Sequence, residues 1–236
     1  MKYEHQLRKL SSEERKNLSS EEIFHSAEFS SYLQKMGETL LRHCGITKRL
    51  SLTILPTGIA PGWTDGKKEY LVPENTITEA YNDIYAKFTA LLGIHFHEIA
   101  HIIYCDFAEE QKAIDKIKAG EFYGKLPVPK TQAEVDALTE MKDALQNSAY
   151  RPLFQQIFND VTNTIDDPHD EGKIIDEFGG IVEKGIATSR EALFRSFDYA
   201  ENILANDKAT KLQKLYALML EFARFEDVFA RDLEQC

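Results

Sequence analysis

A chain of 236 residues, 43% hydrophobic and 28% charged, has globular composition and length enough for one well-buried core, which excludes wholesale disorder and fibrous architectures. The 28 Lys and Arg against 39 Asp and Glu leave a formal net charge of -11, a balance that repels phosphate backbones and anionic lipid, so neither nucleic acid nor a membrane is the expected partner. Cys44, Cys105 and Cys236 are too few and too scattered for a disulfide framework or a zinc ribbon, and the opening Met1-Lys2-Tyr3-Glu4-His5 lacks the apolar core of a signal peptide; a reducing, cytoplasmic compartment is expected.

Helix-start signatures run along the chain. Ser or Thr is followed three residues later by Glu at Ser11–Glu14, Ser19–Glu22, Thr76–Glu79, Thr131–Glu134 and Thr188–Glu191, each pair able to form a capping box ahead of helical apolar spacing. Ile23, Phe24, Leu33, Met36, Leu40 and Leu41 predict one long helix that Gly45 stops. The period then changes: Leu50, Leu52 and Ile54 alternate with polar residues, predicting a strand over 49–55 that Pro56, Gly58, Pro61 and Gly62 break. Trp63-Thr64-Asp65-Gly66-Lys67 leads into Glu69-Tyr70-Leu71-Val72, an Asp-Gly hairpin in a sheet of two or three strands. Residues 120–129 read as a loop, 150–165 as a helix packed on the core through Leu153, Phe154, Ile157, Val161 and Ile165, and 206–233 as the last helix. The expected architecture is one mainly α (α+β) domain over 1–236, with N-terminal helices to about residue 46, the small sheet over 47–73 and a helical body over 76–236.

Chemistry concentrates in residues 88–105, an apolar stretch that carries His95, His97, Glu98 and His101, a set a bilayer would penalise by several kcal/mol. A buried helix is the expectation. His97-Glu98-Ile99-Ala100-His101 puts two imidazoles one turn apart on one face, the separation that suits a single metal ion. Glu98, on a neighbouring face, is placed to exchange a proton with a water at that ion. His95 lies some 160° round from His97 by helical geometry and reads as a satisfied core or supporting histidine. Cys105 reads as a small buried hydrophobe and Asp106 as a cap or ion-pair partner near the helix end.

Two imidazoles need a third protein ligand, with a fourth position left for water. The richest cluster is Asn163-Thr164-Ile165-Asp166-Asp167-Pro168-His169-Asp170-Glu171, in which Asp166 or Asp167 is the candidate and His169 the outsider. Asp167 before Pro168 also has the form of an N-cap, with Asp170 and Glu171 complementing a helix dipole, and a helix break is expected there.

The run His97 to Phe107 resembles the active-site helix of zincin-type metallopeptidases, especially the domains that accompany von Willebrand factor A-like (cobalt-chelatase-related) modules in bacteria and phages. Asn163, Asp166, Asp167 and Glu171 match, in order and spacing, the Asn, acidic pair and further acid of that group's second helix, and Thr64-Asp65-Gly66 stands where it carries a hairpin. The group usually has Glu first in the pair, and Pro168 interrupts a helix that would otherwise continue. The resemblance covers about Trp63 to Glu171 and implies a zincin-like helical domain and a partner protein with a von Willebrand A-like or ATPase module; no such module lies within these 236 residues.

The function expected is zinc-dependent hydrolysis of peptide bonds in a peptide or protein substrate: one Zn²⁺ on His97, His101 and Asp166 or Asp167, with Glu98 as general base and then general acid. Tyr104, Tyr150, Arg151 and His169 are available to stabilise an oxyanion, with nothing in their spacing to choose among them. The alternative from another class is a metal-stabilised protein-binding or regulatory module with little turnover.

Overall fold

The computed structural model describes residues 19–224 apart from 59, 123 and 197–199. Helices α1 (Ser20–Phe24) and α2 (Ala27–His43) come first. They are followed by strands β1 (Ser51–Ile54), β2 (Gly62–Thr64) and β3 (Lys68–Leu71). The rest is helical: α3 (Ile84–Tyr104), α4 (Phe107–Ala119), α5 (Gln132–Gln146), α6 (Arg151–Phe178), α7 (Gly180–Ser196), α8 (Ala200–Ala205) and α9 (Lys211–Arg224). Mainly α with one small sheet is what composition and periodicity led one to expect. No single helix among the described residues is long and apolar enough to cross a membrane.

The described chain forms two compact units: one from residues within 19–103 and 171–196, the other from residues within 104–170 and 200–224. In the first, β3 lies in the middle of the sheet, parallel to β1 and antiparallel to β2. Glu69 and Leu71 of β3 point inward, both 0% exposed, while Tyr70 stacks on Trp63 across the strand pair at 5.1 Å. The core of this unit includes Phe24, Leu33, Leu41, Leu50, Ile174 and Ile186. Helices α3 and α7 cross at Gly93 and Gly185, where a Cβ built on Gly93 would stand 2.1 Å from the Gly185 carbonyl oxygen, so any side chain there must drive the helices apart. In the second unit Ala113, Ile117 and Leu145 are buried. Arg151 ties three helix ends together by donating to the carbonyls of Lys118 at 2.8 Å, Gln146 at 3.1 Å and Leu145 at 3.2 Å, the orphan acceptors a helix leaves at its C-terminus.

Several local expectations are corrected. The helix expected to run from Ile23 to Leu41 is two, because Ser26 accepts from the Phe29 N–H at 3.2 Å and starts a new helix. Capping boxes form at Ser19–Glu22 and Thr131–Glu134. At Thr76–Glu79 none forms: Asn75 Oδ1 accepts from Ile77 at 2.8 Å and Thr78 at 3.1 Å, and the long helix starts only at Ile84. Thr188 and Glu191 lie inside α7. Ser11–Glu14 lies outside the described residues, as do the last residues of the helix expected over 206–233, which within them starts at Lys211.

The largest correction concerns Pro168. Helix α6 runs through it without a break, so the N-cap expected at Asp167 does not form. Proline removes a backbone N–H and costs a helix interior about 3 kcal/mol. The helix buries residues on both sides of the proline at helical spacing: Thr164 and Asp167 before it, Glu171 and Ile174 after it. The apolar spacing expected to bury this helix is partly outside it: Leu153 is 50% exposed and Ile165 58%.

Candidate metal centre

Helix α3 is apolar on nearly every side, and from Thr89 to Ile102 every residue is buried except His97 and His101. Within that stretch the two imidazoles are the side chains left partly exposed. Their Nε2 atoms face each other at 3.1 Å, with the ring planes at 82°. Two Nε2 ligands of one tetrahedral zinc, each about 2.0–2.1 Å from it, stand at roughly this separation, so the donor set fits such an ion.

The far nitrogen of His97 is spoken for. Its Nδ1 is 2.7 Å from Glu171 Oε1, and Glu171 Oε2 accepts from Arg190 Nε. Burial alone would raise the Glu171 pKa, but the hydrogen bond and charge of His97, together with Arg190, outweigh it and hold this carboxyl below the usual range. An ionised Glu171 makes Nδ1 of His97 the protonated nitrogen and leaves its Nε2 a lone-pair donor, the carboxylate–histidine arrangement that orients metal ligands.

Glu98 is 5% exposed. Burial pushes its pKa up to about 6, with Glu69 adding to the rise and His97, His101 and His95 opposing it. That range suits a group that must take and return a proton near neutrality. Strand β2 comes close to it: a Cβ on Gly62 would sit 3.1 Å from Glu98 Oε1 and 2.7 Å from Ile94 Cγ2, so only glycine leaves the carboxyl where it is.

His95 is 0% exposed and its Nδ1 meets Glu69 Oε1 at 2.6 Å, so it is the core histidine expected but only half satisfied. Its Nε2 and the second oxygen of Glu69 have no hydrogen-bond partner. Asp106 caps α4 by accepting from Ala108 and Glu109, both at 3.1 Å.

In the second unit, Asp166 and Asp167 lie on α6 but point differently. Asp166 is half-buried, and one ligand atom from each of Asp166, Cys105 and Glu110 falls within 4.8 Å of the others. Asp167 is buried, on the stripe that continues to Glu171. Cys105 is not the enclosed hydrophobe expected: it is half-exposed and its Sγ donates to Asp170 Oδ2 at 3.0 Å. His169 points outward, its side chain 59% exposed, with Nδ1 3.0 Å from Asp170 Oδ1. Among the oxyanion candidates, Arg151 is occupied with helix carbonyls, Tyr150 is 50% exposed, and the Tyr104 hydroxyl is buried.

Comparison with protein-family models, with curated proteins and with solved structures gives no match. The functional reading rests on these residues alone. Sequence reasoning missed Glu69, Gly62 and Arg190 as site residues, and gave Glu171 a helix-dipole role and a place in a resemblance but no histidine to hold. Glu69 did carry a signal, a carboxylate at the inward register of β3 beside Leu71; Arg190 carried none.

Proposed function

We propose that the chain is a zinc-dependent hydrolase acting on peptide bonds, with His97 and His101 as imidazole ligands and an aspartate of the 166–167 pair as the third. The observation that carries the reading is the facing pair of Nε2 atoms at 3.1 Å with Glu171 holding Nδ1 of His97. Helix spacing favours Asp167 as the third ligand: it is buried one turn before Glu171 on the same stripe of α6, whereas Asp166 is turned toward Cys105 and Glu110. A bound Zn²⁺ supplies Lewis acidity and makes a water nucleophilic near neutral pH.

The protein's own groups do the rest. Glu98 removes a proton from the attacking water as its oxygen bonds to the carbonyl carbon, then returns that proton to the amide nitrogen as the C–N bond breaks. Burial keeps bulk water from Glu98 and fixes its direction. Strand β2, an edge of the sheet beside Glu98, offers backbone groups to an extended peptide.

The test is metal content and hydrolysis measured side by side. Protein purified without chelator should contain one zinc per chain and cleave an unfolded polypeptide, read by mass spectrometry. Glu98→Gln should keep the zinc and lose the cleavage. Zinc-free protein, or a Glu98→Gln variant that cleaves as well as the parent, overturns the proposal; zinc with indifference to that change is the signature of a metal-stabilised binding module.

A further inference from the structure

Arg190 plays no part in the reaction as described, yet its contact is specific. Both oxygens of Glu171 are committed, Oε1 to His97 and Oε2 to the Arg190 guanidinium, and the Glu171 side chain is only 10% exposed. Helix α7 brings Arg190 there through the Gly93–Gly185 crossing, where Ser189, the residue before it, also packs: a Cβ on Gly93 would meet Ser189 Oγ at 2.6 Å. Arg190 is thus delivered by backbone-to-backbone packing rather than by a flexible loop.

A buried carboxylate one hydrogen bond from a cation site has two options. It can hold the histidine, or it can swing and become a ligand itself, since carboxylate oxygen suits zinc as well as imidazole nitrogen does. A partner on the second oxygen removes the second option and also offsets the cost of burying the charge.

We propose that Arg190 is a positioning residue for this metal centre: by engaging Glu171 Oε2 it keeps Glu171 an acceptor for the His97 Nδ1–H and out of the ligand set. The inference rests on the metal-site reading above. It acts through Glu171 and His97, so its signature is the coordination of the ion and not the fold.

The experiment uses the full chain as wild type, Arg190→Met, Arg190→Lys, Arg190→Met with Glu171→Gln, and Arg195→Met as a control that removes another α7 cation, one paired with Glu191. Zinc affinity is measured by competition with a chromophoric chelator, and coordination by the visible absorption of the Co²⁺ form. Arg190→Met should weaken zinc binding about 10–100-fold, the usual cost of losing an outer partner. Its Co²⁺ spectrum should change toward a higher coordination number as Glu171 enters. Adding Glu171→Gln should return the spectral shape to that of wild type while affinity stays low, and Arg190→Lys should fall between. Apo-protein melting curves check folding; if Arg190→Met does not fold, Arg190→Lys carries the test, and wild-type affinity and spectrum in that variant overturn the inference. An unchanged affinity and spectrum in a folded Arg190→Met, with wild type binding zinc normally, overturns the role of Arg190 alone. Failure of the wild type to bind zinc overturns the metal-site reading and this inference together.

Discussion

His95 and His97 each meet a carboxylate through Nδ1, at 2.6 Å to Glu69 and 2.7 Å to Glu171, from positions two residues apart on α3. The first pair is 0% exposed on both sides and leaves His95 Nε2 facing protein with no partner. The second has a 22% exposed imidazole whose Nε2 faces that of His101. Pairing with a carboxylate is therefore not what separates a supporting histidine from a proposed ligand. The direction of the second nitrogen separates them: sealed in the core it joins β3 to α3, and open toward a second imidazole it can take a metal ion.

The sharpest way to break this contrast is to remove one ring at a time. His97→Ala should abolish zinc binding, a loss beyond the roughly 10–100-fold that an outer partner costs, and should cost the apo-protein less stability than His95→Ala does, because Arg190 still holds Glu171. His95→Ala should do the reverse: stripping the partner from a buried Glu69 should cost about 3–5 kcal/mol in urea unfolding, with tight zinc binding retained in whatever fraction is folded. The double change His95→Leu with Glu69→Leu should recover most of that stability, since replacing both partners of a buried hydrogen bond by apolar groups is nearly neutral. If His95→Ala weakens zinc binding as much as His97→Ala does, the division of labour is wrong.

This division was half legible in the sequence. His97 and His101 are related by one helical turn, a local relation that spacing alone conveys, and the Asp65-Gly66 hairpin and the capping boxes at Ser19 and Thr131 are local in the same way. Local rules failed where distant packing outranks them. Pro168 stays inside α6, whose buried residues lie on both sides of it, and Thr188–Glu191 matches a helix start in the middle of α7. Glu69 and Glu171 reach their histidines across 26 and 74 residues, separations at which no periodicity carries information. The division into two compact units, each assembled from two stretches of chain, had no marker in composition either.

A finer test concerns Glu98, the residue after His97. Gly62→Ala should press on Glu98 Oε1 and on Ile94, displacing the carboxyl by a few tenths of an ångström. Misplacement by 1 Å costs on the order of 10²-fold in rate, so about tenfold in kcat is expected here, with zinc affinity unchanged. Combining it with Ile94→Ala removes the Ile94 contact, leaves Leu71 Cδ2 3.1 Å from the new Cβ and opens a cavity in the core, so stability should fall further while kcat stays low. Full recovery of kcat in the double variant would show that the aliphatic contact, and not the carboxyl, is what Gly62 protects.

The smallest effect uses a carboxylate held by backbone instead of imidazole. Asp65 Oδ1 accepts from the Lys68 N–H at 2.7 Å and the Lys67 N–H at 2.9 Å in the hairpin that presents β2, and these two bonds, the Lys68 one first, hold its pKa below the ordinary aspartate value. Its folded pKa being the lower one, the stability it contributes is fully present above about 3.9, the unfolded aspartate value, and is lost as pH falls through the folded value. Asp65→Asn should therefore leave the apo-protein's unfolding midpoint nearly unchanged below that window and lower it slightly above it, because the group is solvent-exposed and its charge well screened. A drop of equal size at every pH for Asp65→Asn would mean that the turn depends on the shape of the side chain and not on its charge, and the backbone-held carboxylate would then be no reference for the two histidine-held ones.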